Sequence, residues 1–538
     1  MLVSTKHNQL IINARNPNQI LAVIPTAKTF EYKGHTLVAV PHRMDEVRVL
    51  NNLGLKAPSP IETQYGYPGV ETPFDVQRVT AGAATIFKRL YVLNQMGTGK
   101  TNSTLWASDY LMRIGKVTRV LIAAPLSCLE RVWGDSIFNC LPERTFTVLH
   151  GDTDRRVKRL DEDVDFYIIN HHGIKIPRVL DALCERLDID LVIVDELAEY
   201  SNTRSDNWLA MDTVINGNVT VKQGKRERRV QGKFPKRDWV WGLTGTPTPT
   251  APTDAYAQCK LLTPDTVPAF FGRFRDMTMV PFATVGKGHL WRPRSDSNKT
   301  VFEAMQPAVR FTRDQCGDLP ERMITQRHAE LSKEQQKAYN EMYRDLKTQV
   351  QGGQITAQNA AVKMLKLVQI AVGVVYDNQH GEIIIPSKER LDALQEVIRE
   401  AEGKVIVFVP FTAALDHLLE CIQKWTTAVA VDGRTAKGTR DEIFRRMEQD
   451  DMLRVLVAHP GCMAHGLSLV QSNTIVWYGP TNSNRIYQQA NDRITRPGQK
   501  RKQFIIQFEG SAVERKIYRT LEQQGNHQDA TLELFTND

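Results

Sequence analysis

Residues 89–101 read "RLYVLNQMGTGKT": an apolar run, a turn carrying Gly97 and Gly99, and then Lys100 and Thr101 opening a helix-like stretch. A buried strand, a glycine loop and a helix N-terminus in that order build an anion site, because free backbone N–H groups converge there. The N–H groups of Gly97, Thr98 and Gly99 would wrap a phosphate chain, Lys100 would place a point charge at the β/γ oxygens, and the Thr101 hydroxyl would ligate Mg²⁺. The full phosphate-loop pattern has a glycine where this chain has Asn94. Taken alone, the stretch also reads as a glycine turn beside a solvated lysine.

Partners for the loop decide between these readings. "LVIVDELAEYSN", residues 191–202, is an apolar strand that delivers Asp195 and Glu196 at its carboxyl end, where open parallel sheets bind ligands. Asp195 suits Mg²⁺ through its water shell, and Glu196 suits orientation and deprotonation of an attacking water. Adjacent acids after a strand also serve as a helix N-cap with first-turn charge. "GLTGTP", residues 242–247, ends another apolar strand. "QQANDRITRPGQ", residues 488–499, puts Arg493 and Arg496 three apart on one helical face. Such a face is either solvated or supplies the charge that a γ-phosphate transition state needs from a second domain.

A chain of 538 residues is too long for one core, so at least two domains are expected. The formal net charge of +8 permits a polyanionic partner without demanding one. Seven cysteines without a C-x-x-C pair indicate neither a zinc knuckle nor a disulfide framework, and they suit a reducing cytosol. No apolar run reaches membrane-spanning length and the N-terminus lacks a signal-peptide core, so a soluble protein of the cytoplasm is expected.

Short β-branched runs recur at crossover spacing: "YVLNQ", "RVLIAAP", "FTVLH", "DFYIIN", "DLVIVDE" and "WVWGLTGTP" between residues 91 and 247, then "KVIVFV", "TAVAV", "RVLVAH", "TIVWYG" and "QFIIQF" between 404 and 508. Two α/β lobes with parallel sheets follow. The stretches "LSKEQQKAYNEMYRDLKTQV" and "NAAVKMLKLVQIAV" carry apolar residues at helical spacing, which predicts helical protrusions between the lobes. The expected organisation is a small α+β accessory domain at 1–60, an ATP-binding lobe at 70–265, protrusions and linker at 266–385, and a second lobe at 386–538.

In this order the motifs resemble the Snf-type branch of superfamily-two helicases, over roughly residues 70–525. "TPFDVQRV" is similar to the adenine-reading Q motif through Gln77, "NQMGTGKT" to motif I, "APLSCLERVW" to motif Ia, "VDELAEYSN" to motif II and "LTGTP" to motif III. "KVIVFVPFTAALDHL", "AHPGCMAHGLSLVQSNTIVWYG" and "YQQANDRITRPGQ" resemble motifs IV, V and VI. The resemblance implies two RecA-like lobes, an ATP and Mg²⁺ requirement, Gln489 and the two arginines as catalytic groups of motif VI, and DNA-backbone contacts at Ser127, Thr244, Thr412 and Ser468. Two departures stand out: Ala198 replaces the usual motif II histidine, and motif V reads "HGLSL" where "GLNL" is common. The second variant is associated with short, phage-encoded relatives.

Between motifs II and III, "KQGKRERRVQGKFPKR" (222–237) sets eight cations against one acid. It reads as a loop, either solvated or touching phosphates through Lys225, Arg226, Arg228 and Arg229. The N-terminal unit, with "FEYKGHTLVAVP" and "MDEVRVLNNLG", is similar to the HepA-related domain of annealing helicases, which targets forked or branched DNA, and reads equally well as an accessory domain that packs on the first lobe. The expected function is therefore an ATP-dependent, DNA-stimulated duplex translocase that remodels branched replication or recombination intermediates in a phage or mobile-element setting. A strand-separating DNA or RNA helicase and a DNA-binding scaffold without turnover are the alternatives.

Overall fold

The computed structural model describes residues 1–223, 226–285, 288–316, 322–351, 357–377, 381–463, 469–495 and 499–534. It divides into two compact units, Met1–Cys316 with Gln528–Asp538, and Gly317–His527.

The first unit opens with a four-stranded antiparallel sheet whose strands Leu2–Ser4, Gln9–Ile12, His35–Pro41 and Lys28–Tyr32 are neighbours in that order. Residues alternate along Gln9–Ile12, so Leu10 and Ile12 face inward with Val38, Val40, Ile20, Val47 and Leu50, while the other face stays wet. The helix Met44–Asn52 carries Arg48 onto the helix Asp75–Ile86 by a bond from Nη2 to the Thr85 carbonyl at 3.0 Å.

Beyond it, seven strands form one sheet in the order Ala308–Val309, Arg89–Val92, Trp239–Leu243, Ile189–Asp195, Arg119–Ala124, Phe166–Asn170 and Phe146–Leu149. Every pairing is parallel. Six of these strands are the apolar runs read from the sequence. Leu191, Val192, Ile193 and Val194 are all 0 % exposed, because helices cover both faces, and burying each such side chain is worth about 1.5–3 kcal/mol. The seventh strand, Ala308–Val309, is two residues long and gives no periodic signal.

Two antiparallel hairpins project from this unit. One pairs Asn218–Gln223 with Arg226–Gln231, so half of the basic stretch expected as a loop lies in paired strands; Val219 faces Val230 and Val221 faces Arg228. The other pairs Met279–Val285 with Gly288–Pro293.

The second unit holds six parallel strands in the order Arg322–His328, Gln503–Glu509, Ser472–Trp477, Lys404–Phe408, Val455–Ala458 and Ala428–Val431. The five predicted strands are present, and Arg322–His328 is an additional edge strand. Helices Lys333–Gln351 and Ala357–Val372 occupy the predicted helical stretches. A buried pair, Arg390 and Glu514 at 2.5 Å, ties the helix Lys388–Glu400 to the helix Ala512–Glu533. Glu514 is further satisfied by the backbone N–H groups of Gly510 at 2.9 Å and Ser511 at 3.0 Å, as a buried charge requires. Together the two parallel sheets are RecA-like lobes of an α/β protein.

Candidate active site

Register brings the predicted chemistry to one edge of the first sheet. Leu243 stands opposite both Val92 and Asp195, so the strand before the glycine loop, the strand before the acids and the strand before "TGTP" end at one level. Neighbouring strands lie about 4.8 Å apart, which puts the loop and the acids roughly 10 Å from each other across Leu243.

The glycine loop has the geometry its sequence requires. Gly97 and Gly99 sit at φ 87° and 77°, a region that costs glycine nothing, and Gly99 caps the helix Lys100–Arg113. A Cβ on Gly99 would fall 1.8 Å from Nε2 of Gln77, so only glycine lets that glutamine lie against the loop. Gln77 Oε1 accepts from the Phe74 N–H at 2.9 Å, which orients the amide at the start of its helix. Thr98 is buried and donates to the Gln95 carbonyl at 2.8 Å. The Lys100 ammonium bonds the Asn94 and Gln95 carbonyls at 2.9 and 3.1 Å, which holds it inside the loop. Thr101 follows on the first helical turn, half-buried.

Asn94, where a glycine is usual, is a strut. Its Nδ2 donates to the Thr80 hydroxyl at 2.8 Å and its Oδ1 accepts from the Phe311 N–H at 3.0 Å, tying the strand end to two other segments. A glycine could make neither bond.

The acids are set by an unusual backbone and by a residue that sequence reasoning did not single out. Glu196 has φ 54° and ψ 55°, a left-handed conformation that costs a non-glycine residue roughly 1–3 kcal/mol and persists where the surroundings enforce it. The twist turns the chain out of the strand line directly after Asp195. Trp133 Nε1 donates to Asp195 Oδ2 at 3.0 Å, and the Glu196 N–H donates to Oδ1 at 3.1 Å. Burial pushes the Asp195 carboxyl above its ordinary range; the Trp133 donor, the Lys100 charge and the Glu196 N–H oppose that push. Trp133 itself lies in a π-helical turn, Leu129–Gly134, a local rewinding often found at functional sites. Its place within "APLSCLERVW" was visible, but the rewound turn that aims the indole was not.

Trp133→Phe keeps an aromatic ring but removes the donor to Asp195. Losing a partner that orients a ligating carboxylate typically costs 10–100-fold. The expected result is a fall of that size in ATP turnover, checked by steady-state kinetics across a Mg²⁺ titration with circular dichroism to confirm folding.

The remaining predicted residues divide. Thr244 is 1 % exposed, its N–H bonds the Val92 carbonyl at 3.1 Å and its hydroxyl accepts from the Thr246 N–H at 3.1 Å. It shapes the turn beside the glycine loop, and burial removes it from the expected backbone contacts. Ser127, half-buried, follows the strand Arg119–Ala124 at the same sheet edge. In the second unit, Thr412 starts the helix Thr412–Gln423 with its hydroxyl 3.1 Å from that of Tyr376. Gln489 is 1 % exposed, and neither its amide oxygen nor its nitrogen has a partner among the described residues, a costly state for a buried amide. Arg493 is fully buried just beyond the helix Asn484–Asn491. Arg496, Ser468 and Lys225 lie outside the described residues, and Arg226 is placed only by its backbone.

Within the basic hairpin the arginines separate. Arg228 is exposed. Arg229 is an anchor rather than a free cation: its Nη2 bonds Asp212 Oδ2 at 2.9 Å, the Leu209 carbonyl at 3.0 Å and the Asn218 carbonyl at 2.6 Å. This corrects its expected role as a phosphate contact, since its donors are engaged and Asp212 is nearly fully buried. Arg229→Ser therefore destabilises the unit by roughly 1–3 kcal/mol, the cost of an orphaned buried acceptor. Arg228→Ser leaves stability unchanged and lowers the slope of log DNA affinity against log salt by about 0.9, the value for one phosphate contact. Chemical denaturation and binding titrations separate the two effects.

Comparison with known proteins identifies the family. A model of the SNF2-related domain matches residues 92–372, more than half of the chain, and a model of the helicase conserved C-terminal domain matches residues 389–498. Protein p41 of Acyrthosiphon pisum secondary endosymbiont phage 1 is 24 % identical over 443 residues, covering 79 % of this chain and 88 % of that one. The SWI/SNF-related matrix-associated actin-dependent regulator of chromatin subfamily A-like protein 1 of Xenopus tropicalis is 21 % identical over 427 residues; the match covers 76 % of this chain and 39 % of that relative. Among solved structures, the Sulfolobus solfataricus SWI2/SNF2 ATPase core in complex with dsDNA is similar over 87 % of this chain and 94 % of that one, at 20 % identity and a TM-score of 0.40. The chain belongs to the SNF2-related family and is an ATP-hydrolysing DNA translocase of helicase superfamily two.

Proposed function

We propose that this enzyme moves along duplex DNA and remodels branched replication or recombination intermediates, in the setting of a phage or mobile element. The observation that carries the motor half of this reading is the shared register of Val92, Leu243 and Asp195, which collects the glycine loop, the acids and the "TGTP" turn at one sheet edge. In this reading Gln77 hydrogen-bonds the adenine edge and the N–H groups of Gly97, Thr98 and Gly99 wrap the phosphates. Lys100 exchanges its two loop carbonyls for β/γ oxygens, and Glu196 holds and deprotonates the attacking water.

The hard oxygen donors Thr101 and Asp195 fit Mg²⁺, which takes few protein ligands and completes its shell with water and substrate phosphate. Bound there, the cation would neutralise charge developing on the phosphates. Asp195, buried and held by Trp133, is the chain's fixed ligand in that arrangement.

Membership of the SNF2-related family supports the duplex track, and the phage relative, matched along most of its length, supports the setting. The branched substrate rests on the compact N-terminal unit packed on the ATP-binding lobe, where a second duplex arm could be held while the lobes grip the first, raising affinity through effective concentration. The test is ATP turnover and product formation on linear duplex, single strand and a model fork. The reading expects stimulation by duplex, a higher affinity for the fork, and conversion of the fork to reannealed products. Stimulation by single strand alone would favour a strand-separating helicase, and equal handling of fork and linear duplex would remove the branched substrate.

A further inference from the structure

On the face of the first lobe opposite the ATP edge, a cleft of about 370 Å³ opens where the N-terminal unit meets the amino-terminal ends of the sheet strands. Its lining combines Arg48, Lys88, Lys116, Lys236 and Arg237 with only two acids, Asp190 and Asp238. The elements that contribute are separate in sequence: Arg48 comes from the helix Met44–Asn52, Lys88 precedes the strand Arg89–Val92, and Lys236 precedes the strand Trp239–Leu243. Folding therefore brings Arg48, Lys88 and Lys116 to Lys236 and Arg237, the last two cations of the basic run.

Internal pairing does not spend all of this charge. Arg237 is buried and gives its guanidinium to the Ile189, Arg186 and Leu183 carbonyls at 2.7, 3.0 and 3.2 Å, and no acid pairs with it among the described residues. Lys88 meets Asp238 at 2.5 Å and Lys116 meets Asp45 at 3.2 Å, but both pairs are solvent-exposed and weakly bound. Arg48 lies over the Trp239 ring at 5.1 Å, and its Nε is buried without a hydrogen-bond partner among the described residues. Lys236 makes no hydrogen bond or ion pair among them, and desolvation, followed by the nearby Arg89 charge, pushes its ammonium below its ordinary value. A cation so placed is stabilised by an incoming anion. Asp190, whose two oxygens accept from the Thr118 N–H at 2.9 and 3.1 Å, keeps its negative charge, so the five cations outweigh rather than escape the two acids of the lining.

We infer that this cleft binds DNA backbone phosphate, and that it holds a duplex arm other than the one on which the motor runs. The inference rests on the branched-DNA reading above and deepens it by naming the surface. Placement carries the separation: Ser127, the candidate contact of the first lobe with the motor's duplex, follows the strand Arg119–Ala124 at the carboxyl edge of the sheet, whereas the cleft lies at the amino edge. Contacts here are to phosphate and carry no base sequence, as suits an enzyme acting on branch shape.

The experiment compares wild type with the double variant Lys88→Ser, Lys236→Ser, whose positions are exposed and lie outside the ATP site. Affinity for a three-way junction and for linear duplex is measured across a salt series, beside duplex-stimulated ATPase. The inference predicts a steeper salt slope for the junction than for linear duplex in wild type. In the variant the junction slope falls by about 0.9 per lost contact while linear-duplex binding and ATPase stay within twofold of wild type. An unchanged junction slope in the variant, with wild type still preferring junctions, overturns the cleft and leaves the branched-DNA reading standing. Equal slopes for junction and linear duplex in wild type overturn both. A parallel thermal-shift titration with inorganic phosphate separates the sources: a stabilisation lost in the variant, with no change in junction slope, would assign the cleft to free phosphate and overturn its role in holding DNA.

Discussion

Glu196→Gln is expected to bind ATP with near wild-type affinity and to hydrolyse it a hundred- to roughly ten-thousandfold more slowly, the span for removing a positioned general base. The substitution is close to isosteric, and glutamine tolerates the φ 54° conformation no worse than glutamate, so the backbone twist that aims the side chain survives. Binding persists because the loop N–H groups and Lys100 are untouched. Lys100→Ala has a different signature. It removes the charge at the β/γ oxygens and frees the Asn94 and Gln95 carbonyls, so both affinity and turnover collapse. Equilibrium binding of a fluorescent ATP analogue, with single-turnover hydrolysis, distinguishes the two variants. Wild-type turnover in either would refute the proposed roles.

Arg496→Ala is expected to slow the chemical step by roughly a thousandfold or more while sparing ATP affinity, the behaviour of an arginine that meets charge developing on the transferred phosphoryl group. Arg493 is a poorer probe of the same idea. It is fully buried, so its truncation would also leave a cavity in the second lobe. Single-turnover hydrolysis at saturating ATP isolates the step, and an unchanged rate constant for Arg496→Ala would exclude the finger role.

The parallel strands were legible because a strand covered on both faces must be apolar throughout, and "DLVIVDE" or "KVIVFV" has no other stable placement. Edge strands escape this rule. Arg322–His328 is almost wholly exposed, so its "RMITQRH" carries no burial pattern; it is held by its pairing with Gln503–Glu509 and by ion pairs from Arg322 to Asp492 and from Arg327 to Glu396. Ala308–Val309 is too short to show a period.

The turn of the glycine loop was readable in the sequence because its backbone geometry is announced locally, by Gly97 and Gly99 at positive φ and by a helix that starts at Lys100. What surrounds it depends on distant partners. Trp133 reaches Asp195 only through a π-turn, and the strut role of Asn94 requires Thr80 and Phe311, which are remote in sequence. The basic run misled for the same reason: eight cations in one stretch look alike until Asp212 engages Arg229 and backbone carbonyls engage Arg237.

The most direct test of a duplex-driven motor is steady-state ATP hydrolysis by the full chain without DNA, with single strand and with blunt linear duplex, beside Lys100→Ala under the same conditions. The expected result is a low basal rate, strong stimulation by duplex, little by single strand, and no turnover in the variant. A wild-type rate indifferent to duplex, or turnover that survives Lys100→Ala, would contradict it.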